Sequence, residues 1–497
     1  MSKEAVLEAK GVAVEMKSKV DIMYLCHCSI GLVLMFGFGY LSPIDPITPM
    51  GMKILGIFLG LIYLWTTVDT VWPSLLGLVA IALTGFMPIN QAFAESFGSN
   101  QIILVVGILA LVGAINTNGI CKYIGRWFVT RKVINGRPWV FTFMIFMGVY
   151  ILTILTSTDT AIFLFWPILY GLFKDIGYKP GDKYATLMII GVVMVGLFGF
   201  AAMPFRGIVL LMLTNFEAIS GIAINQLSYL TISFVLGIVL IVGLVLVFKY
   251  IFRPDITLLK SVHTELFEKE KLPSMNLRQK MLVGALIIFM AGMFLPNLLP
   301  QGLWIKNILD TLGPAGFVTL LVACLALIRI EGKPLLPFAQ IMNRMMNWPM
   351  VCIIGTALVI GSALTNPETG IRDFLTNIFS GIVAGKSPIM IMIIFVIIAL
   401  IATNFSNNYV IGIILLTISS SLAETMGFNP IPMAILIIFT VHIASVTPAA
   451  CPYAAILHSN KEWVKTNEIY KYTIAMSVYV LLVLLILGVP LANLIIR

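Results

Sequence analysis

The chain has 497 residues, of which 60% are hydrophobic and only 11% are charged, and its mean hydropathy is +1.03. A soluble domain of this length cannot bury so much apolar surface, and several apolar runs reach the roughly 20 residues that a bilayer span needs. The net charge of +9 comes mainly from Lys and Arg in short loops, which is the positive-inside bias of membrane proteins and not a nucleic-acid surface. Composition therefore predicts an all-α polytopic membrane protein in contact with the lipid bilayer and with no nucleic-acid partner.

The N-terminal 20 residues mix basic and acidic side chains, for example Lys3, Glu4, Glu8 and Lys10. The apolar stretch that follows is long enough to span, and no small-residue cleavage pattern follows it. We therefore expect a short cytoplasmic amphipathic helix and not a signal peptide.

Eleven apolar stretches predict transmembrane helices. They lie at about 22–42, 51–68, 71–88, 100–118, 184–215, 226–252, 280–298, 313–330, 347–364, 430–457 and 469–495. Two further stretches, 138–173 and 387–425, are long enough to enter and leave the membrane but carry a polar cluster at their centre. Irregular backbone at membrane depth is tolerated only where protein or a wet cavity covers it, so these stretches predict two re-entrant hairpins around a cavity.

The distribution of basic residues predicts the orientation. With the N-terminus in the cytoplasm, five of the 31 Lys and Arg residues fall outside and one lies in the membrane, so the other 25 face the cytoplasm. A shift by one span would invert this ratio. We expect a multi-pass protein of the cell (inner) membrane with a cytoplasmic N-terminus and an external C-terminus.

Two halves of the chain carry the same landmarks in the same order. Gly107 and Gly355 are 248 residues apart, Ser157 and Ser406 are 249 apart, and Pro204 and Pro452 are 248 apart. The predicted organisation is an N-terminal segment with the first transmembrane helix at 1–50, a first repeat at 51–252, a cytoplasmic linker at 253–280 and a second repeat at 281–497. Each repeat has five spans and one hairpin, and an odd span count makes the repeats inverted, as in many secondary transporters.

The interrupted segments also predict the chemistry of a site. A helix broken within the membrane exposes carbonyl groups at one end and N–H groups at the other. Sodium prefers carbonyl, hydroxyl and amide oxygens, whereas an anion prefers the N–H groups at a positive half-helix end. Two hairpin turns facing two broken helices therefore predict two cation sites on either side of one anion site.

The motifs at these interruptions resemble those of a known family. The second hairpin turn reads Ser406-Asn407-Asn408, and the broken helix after it reads Pro448-Ala449-Ala450-Cys451-Pro452-Tyr453. The first turn reads Ser157-Thr158-Asp159, and its broken helix reads Ala202-Met203-Pro204-Phe205-Arg206. This pattern resembles the divalent anion/sodium symporter family, the dicarboxylate and sulfate transporters. The resemblance implies a homodimer that works by an elevator motion and couples to sodium ions.

The resemblance also implies the residues of the site. The first sodium site would use Thr153, Ser157, Thr158 and the carbonyl near Ala202. The second would use carbonyls near Ala402, Phe405 and Ala450 and the side chain of Asn407. The substrate would contact Thr158, Asp159, Met203, Pro204, Asn407, Asn408, Cys451 and Pro452.

Asp159 and Arg206 replace neutral residues of the family pattern. Ionisable side chains within a membrane cost about 2.5–3.5 kcal/mol each on insertion scales and usually face a cavity and pair. Three functional interpretations are open. The two side chains form an ion pair, or Arg206 provides a positive charge at or near the first sodium position, or Asp159 is itself a sodium or proton ligand. A purely structural ion pair is the fourth alternative. His442, in the second broken helix, is either a proton carrier or a hydrogen-bonded helix residue.

These patterns predict a secondary active transporter of a small anion, with sodium-coupled symport of a di- or tricarboxylate as the main prediction. The alternative is a sodium-independent or proton-coupled anion exchanger in which Arg206 replaces a sodium ion. An enzyme is not expected, because the chain carries no His-Glu-x-x-His, Gly-x-Ser-x-Gly or Walker sequence. The six cysteines are scattered, so no cofactor or structural metal is expected, and sodium ions are the expected coupling ions.

Overall fold

The computed structural model describes residues 22–205, 207–261, 272–383, 385–405, 408–448 and 450–496. The predicted N-terminal amphipathic helix, the middle of the linker (262–271), Arg206, Ser406 and Asn407 lie outside these ranges. Within the described ranges the chain is helical, apart from loops and one two-stranded antiparallel ribbon. The prediction of an all-α polytopic fold is therefore confirmed.

The helices follow one another in two series. In the first series they are α1 Ile22–Gly37, α2 Pro49–Thr67, α3 Val71–Leu83, α4 Ile89–Ser96, α5 Asn100–Thr117, α6 Ile120–Val129, α7 Pro138–Leu155, α8 Thr158–Ile176, α9 Lys183–Ala202, α10 Gly207–Ser220 and α11 Gln226–Val247. In the second they are α12 Leu277–Leu298, α13 Trp304–Leu327, α14 Phe338–Met345, α15 Trp348–Thr365, α16 Ile371–Val383, α17 Pro388–Thr403, α18 Asn408–Met426, α19 Ile431–Val441, α20 Pro452–Ser459, α21 Thr466–Val483 and α22 Val489–Ile495. The ribbon pairs β1 Arg329–Ile330 with β2 Lys333–Pro334. Single turns of 3-10 or π helix lie at 38–40, 132–134, 248–252, 258–261, 367–369 and 484–488.

Eleven helical stretches of the described chain are long and apolar enough to cross a membrane. The number equals the predicted one, but two members differ. The stretches include the hairpin arms α7 and α18, whereas the predicted spans at 71–88 and 430–457 form shorter helices. The first, α3, has 13 residues and ends before Gly85, which has φ +83°. The second, α19, has 11 residues and ends at Val441, seven residues before the predicted break at Pro448.

The order of elements repeats along the chain. A long helix, a short helix, a hairpin and a broken helix occupy α5–α10 and recur in α15–α20. Corresponding helices begin at 100 and 348, 138 and 388, 158 and 408, and 183 and 431, which are 248 to 250 residues apart. This recurrence extends the three sequence landmarks to whole elements, while the repeat boundaries at 51–252 and 281–497 stay predictions.

The core is built around α9. Of its 20 residues, 18 are buried, although its composition is almost wholly apolar and shows no polar face. A helix that is apolar all round is stable only where other helices surround it, and α9 contacts α7, α8, α11, α19, α20 and α21. By contrast, only 11% of the α1 segment is buried within the chain, as expected of a helix that faces lipid. The central position of α9 determines where the polar turns meet.

Candidate functional site

The first hairpin turn consists of Thr156 and Ser157 between α7 and α8. Ser157 is the N-cap of α8, and its hydroxyl oxygen accepts a hydrogen bond from the Thr160 backbone N–H at 3.3 Å. The hydroxyl groups of Ser157 and Thr160 lie 2.6 Å apart. Serine is a preferred N-cap because it satisfies an N–H group that the helix leaves unpaired. The half-buried Asp159 lies in the first turn of α8, where the helix dipole stabilises a carboxylate.

This turn packs closely against α9 because small residues face it there. The Thr158 hydroxyl donates to the Gly196 carbonyl at 3.4 Å. A Cβ atom placed on Gly199 would lie 2.9 Å from the Thr153 Cβ, and one on Gly196 would lie 2.8 Å from the Thr158 Cγ2. Both threonine side chains are fully buried. The two glycines therefore let the turn approach the α9 backbone.

The first helix break follows at the end of α9. Met203 has an extended conformation (φ −95°, ψ 111°), and Pro204 has no N–H to continue the helix. The carbonyl of Ala201, in the last turn of α9, accepts a hydrogen bond from the buried Tyr229 hydroxyl at 2.7 Å. Tyr229 on α11 thus satisfies one of the carbonyls that the break frees. This residue was not among the predicted site residues.

The second hairpin turn is bonded to the second helix break. The buried Asn404 side chain accepts hydrogen bonds through Oδ1 from the backbone N–H groups of Ser445 at 3.0 Å and Val446 at 2.9 Å. Its Nδ2 donates to the Leu400 carbonyl at 2.7 Å, and its own carbonyl accepts from the Thr447 hydroxyl at 2.6 Å. Three of these bonds, to Ser445, Val446 and Thr447, hold the turn against the loop that follows α19, and the bond to Leu400 orients the Asn404 amide on its own helix.

Thr403 completes this connection from the other side of the break. Its hydroxyl donates to the carbonyl of Val441 at 2.6 Å and lies 2.9 Å from Oδ1 of Asn408. In a continuous helix the Val441 carbonyl would bond the N–H of Ser445. Thr403 and Asn404 therefore replace the missing helical bond on both sides, one at the carbonyl and one at the N–H group.

Beyond the break, α20 begins with Cys451 as its N-cap. The Cys451 Sγ accepts from the Ala454 N–H at 3.4 Å and donates to the Ala444 carbonyl at 3.1 Å. Ala450 is buried, whereas Pro452 is exposed. The N-terminal end of α20 thus adjoins the loop that Asn404 holds, and it presents a positive half-helix end there.

One stretch of α9, residues 194–200, joins the two halves. The Ser445 hydroxyl donates to Met194 Sδ at 2.8 Å, and Thr158 bonds Gly196 two residues further along. The Phe200 ring lies 5.2 Å from the His442 ring and 5.9 Å from that of Tyr453, centroid to centroid. The first turn and the second break therefore contact adjacent positions of a single helix.

The structure brings most of the predicted residues to this region. The residues around the break after α9 and the break after α19 are Thr153, Ser157, Thr158, Asp159, Ala202, Met203, Pro204, Ala402, Asn408, Ala450, Cys451 and Pro452. Phe405 belongs to the second turn, but its side chain is 69% exposed, and its N–H donates to the Ala402 carbonyl at 3.1 Å. Asn407 and Arg206 lie outside the described residues. The roles of all these residues as ligands stay predictions.

The structure also adds polar residues that the sequence did not assign. Besides Tyr229, Thr403 and Asn404, the Asn116 amide on α5 donates to the Thr160 hydroxyl at 3.1 Å. The Asn116 Oδ1 in turn accepts from the Cys121 thiol at 3.0 Å. Asn404 is the first residue of the polar cluster at 404–408, so the sequence indicated its region but not its role. The bonds of Asn116 and Tyr229 join helices that are far apart in sequence, and no sequence pattern indicated them.

The contacts of His442 are those of a hydrogen-bonded helix residue. Its Nδ1 lies 2.6 Å from the carbonyl of Ile438, one helical turn earlier, and its ring is buried beside Phe200. This bond fixes the ring at the end of α19.

Comparison with known proteins identifies the family. The model of the sodium:sulfate symporter transmembrane region matches residues 32–496. The chain belongs to this family. An uncharacterized transporter of Haemophilus influenzae is 20% identical over 460 residues, which cover 92% of this chain and 95% of that protein.

A solved structure shows a similar fold. It is the Alcanivorax borkumensis YdaH transporter, described as having an unusual topology, with a TM-score of 0.57 and 13% sequence identity. The match covers 95% of this chain and 98% of that one. Together these findings make the chain a multi-pass membrane protein and a secondary transporter of anions.

Proposed function

We propose that this member of the sodium:sulfate symporter family carries a small di- or tricarboxylate by sodium-coupled symport. The observation that carries the proposal is the meeting of the first hairpin turn and the second helix break on residues 194–200 of α9. A transporter built from repeats binds its substrate where interrupted helices meet. Here the interruptions of both halves adjoin one helix.

The ends of the half-helices suit the two kinds of ion. The C-terminal end of α9 at Ala202 supplies carbonyls, and Ser157 and Thr158 of the hairpin turn packed on the same helix supply hydroxyls. Together these are the oxygen ligands that sodium prefers. The N-terminal ends of α8 and α20 supply N–H groups and positive dipole ends for a carboxylate. Sodium at the carbonyl ends then adds positive charge next to the anion, so each ion stabilises the other.

We also propose the mode of working that the family resemblance implies. The two hairpins and the two broken helices move together as an elevator between the membrane faces, and the chain acts as a homodimer in the inner membrane. The bonds of Thr403 and Asn404 support movement as one body, because they join the second hairpin to its broken helix.

A sodium-independent or proton-coupled exchanger is the second candidate, and Asp159 favours it. This carboxylate is half-buried next to Thr158, at the predicted substrate position. Its negative charge repels a dianion unless a cation lies beside it. In the exchanger, Arg206 supplies that charge permanently and takes the place of one sodium ion.

Uptake into proteoliposomes tests the proposal. Purified protein is reconstituted, and the uptake of labelled succinate, citrate and sulfate is measured with an inward sodium gradient and with choline in its place. Accumulation of a carboxylate only in sodium supports symport. Equal counterflow in choline contradicts sodium coupling and supports the exchanger, and transport of sulfate alone contradicts the carboxylate assignment.

The variants Asp159→Thr and Arg206→Asn extend this test to the two candidates. If Arg206 replaces sodium, Arg206→Asn makes uptake dependent on sodium or abolishes it. Unchanged uptake and unchanged sodium dependence in both variants would remove both residues from the transport mechanism.

A further inference from the structure

A strongly basic segment begins directly after Gly119. Residues 120–137, which we call the basic arm, comprise α6 and the loop to α7. They contain five Lys or Arg residues and no Asp or Glu. The basic residues are Lys122, Arg126, Arg131, Lys132 and Arg137.

The basic arm has one apolar face and one charged face. Its helix buries Ile120, Cys121, Gly125 and Val129 against the protein. On the opposite side Lys122 is exposed and the Trp127 side chain is 50% exposed. A helix that combines exposed Trp with Lys or Arg in this way is typical of one that lies in the plane of the membrane interface.

The end of the arm holds a cation in a fixed position. The Arg131 guanidinium lies 4.2 Å from the centre of the Trp127 ring, and its Nε donates to the Trp127 carbonyl at 3.0 Å. Lys132 and Arg137 are also exposed beside it. A guanidinium held against a ring keeps its Nη groups free to donate to a phosphate oxygen in a planar, bidentate contact.

The corresponding helix of the second half shows that the fold does not require this charge. Both α6 and α16 begin after a glycine with positive φ, +68° at Gly119 and +66° at Gly370. However, α16 carries one basic and one acidic residue, Arg372 and Asp373, and Arg372 pairs with Glu424. Among the described residues no ion pair involves the basic arm, so its unpaired positive charge there is not a consequence of its position in the repeat.

We propose that the basic arm binds the phosphate headgroup of an anionic phospholipid. Among possible occupants an anionic lipid is favoured by charge complementarity, since the arm has only positive charges, and by Trp127, which contacts the acyl boundary while the cations reach the headgroup. The arm leads directly into α7, so a bound lipid also touches the element that carries the first hairpin turn. This site is separate from the transported ions and does not depend on their identity.

Lipid titration of the full-length protein tests the site. Purified protein in neutral detergent is titrated with short-chain phosphatidylglycerol, and binding is followed by native mass spectrometry. Arg131→Gln/Lys132→Gln is compared with Lys461→Gln/Lys465→Gln, which removes two exposed lysines from another loop. Each basic residue near an anionic lipid surface contributes roughly fivefold to binding, so the first pair of substitutions should weaken binding about 25-fold.

The outcomes distinguish the basic arm from general charge. The control variant Lys461→Gln/Lys465→Gln should bind phosphatidylglycerol as the wild type does. Phosphatidylcholine should not bind to either double variant, and inorganic phosphate should not compete with phosphatidylglycerol for the site. Trp127→Leu, which leaves all charges in place, should weaken binding as well. Equal losses in the two pairs, or wild-type binding by Arg131→Gln/Lys132→Gln, would overturn the proposal.

Discussion

At the scale of single residues, the second hairpin turn depends on one dipeptide. Thr403 bonds the carbonyl of Val441, and Asn404 bonds the N–H groups of Ser445 and Val446, so the two side chains occupy both sides of one helix break. The sequence indicated a break and a polar turn, but it did not indicate that they bond each other. Their partners are about 40 residues away, and the bonds form because the end of α17 packs directly against α19.

The first prediction concerns Asn404. Asn404→Leu leaves the buried Ser445 N–H and the half-buried Val446 N–H without their acceptor, and a buried group of this kind costs about 1–3 kcal/mol. We expect a lower melting temperature and a sodium KM raised by about tenfold, because the loop that would supply a carbonyl to the proposed second cation site loses its support. Melting curves and the sodium dependence of uptake measure both effects.

Asn347→Ala serves as the matched control. Asn347 is an exposed N-cap whose Oδ1 accepts from the Met350 N–H at 3.0 Å. Its loss costs about 1 kcal/mol of stability and should leave the sodium KM unchanged. Equal sodium KM values in Asn404→Leu, Asn347→Ala and the wild type would contradict the role of Asn404.

The second prediction concerns Tyr229. Tyr229→Phe removes the donor to the Ala201 carbonyl at the end of α9, where the helix provides no other partner. Tyr479→Phe removes a similar bond, to the Leu240 carbonyl at 2.9 Å, but Leu240 lies inside α11, where the helix itself supplies an N–H. We expect Tyr229→Phe to cost about 1–3 kcal/mol and Tyr479→Phe about 1 kcal/mol or less. A melting temperature lowered equally in both would show that the break does not depend on Tyr229.

At the scale of elements, the close packing of the first hairpin on α9 leads to the third prediction. Gly199→Ala places a Cβ 2.9 Å from the Thr153 Cβ and 3.0 Å from the Tyr150 carbonyl oxygen. Such overpacking typically costs about 1–3 kcal/mol and moves the hairpin turn away from α9. We expect a lower melting temperature and a loss of uptake.

Gly171→Ala provides the comparison for Gly199→Ala. Gly171 lies in α8, is exposed, and has no atom within 4 Å of an added Cβ. Alanine is favoured over glycine within a helix by up to about 1 kcal/mol, so this variant should be as stable as the wild type or more stable. If Gly199→Ala has the melting temperature and the uptake of Gly171→Ala, transport does not depend on the close contact between the hairpin and α9.

The sequence predicts some helices and turns more accurately than others. Hairpins and breaks follow from local features, namely polar residues inside apolar runs and prolines such as Pro204 and Pro452, which the chain shows directly. The predicted spans at 71–88 and 430–457 are shorter in the structure, because hydropathy does not report where a helix stops inside an apolar segment. The role of α9 as common partner was not predictable, since an all-apolar helix indicates burial but not its neighbours.

At the scale of the whole molecule, the two halves have the same order of elements but different charges. The element starts recur at 248 to 250 residues, whereas the helix after Gly119 is basic and the helix after Gly370 is not. Sequence could establish the repeat because its landmarks are prolines, glycines and polar turns with fixed spacing. Sequence could not show that the halves meet on α9, because that contact joins residues such as Met194 and Ser445, which are 251 positions apart.

The fourth prediction tests whether both halves form one transport site against α9. Thr158→Val removes a hydroxyl from the first hairpin, and Asn408→Leu removes an amide from the second. Both variants are reconstituted, and sodium-driven uptake is measured with the anion that the wild type transports. If there is one shared site, each substitution lowers the uptake rate at least about tenfold, a loss of about 1.4 kcal/mol in transition-state stabilisation, while the melting temperature stays close to that of the wild type. Wild-type uptake with unchanged sodium dependence in either variant would contradict a site shared by the two halves.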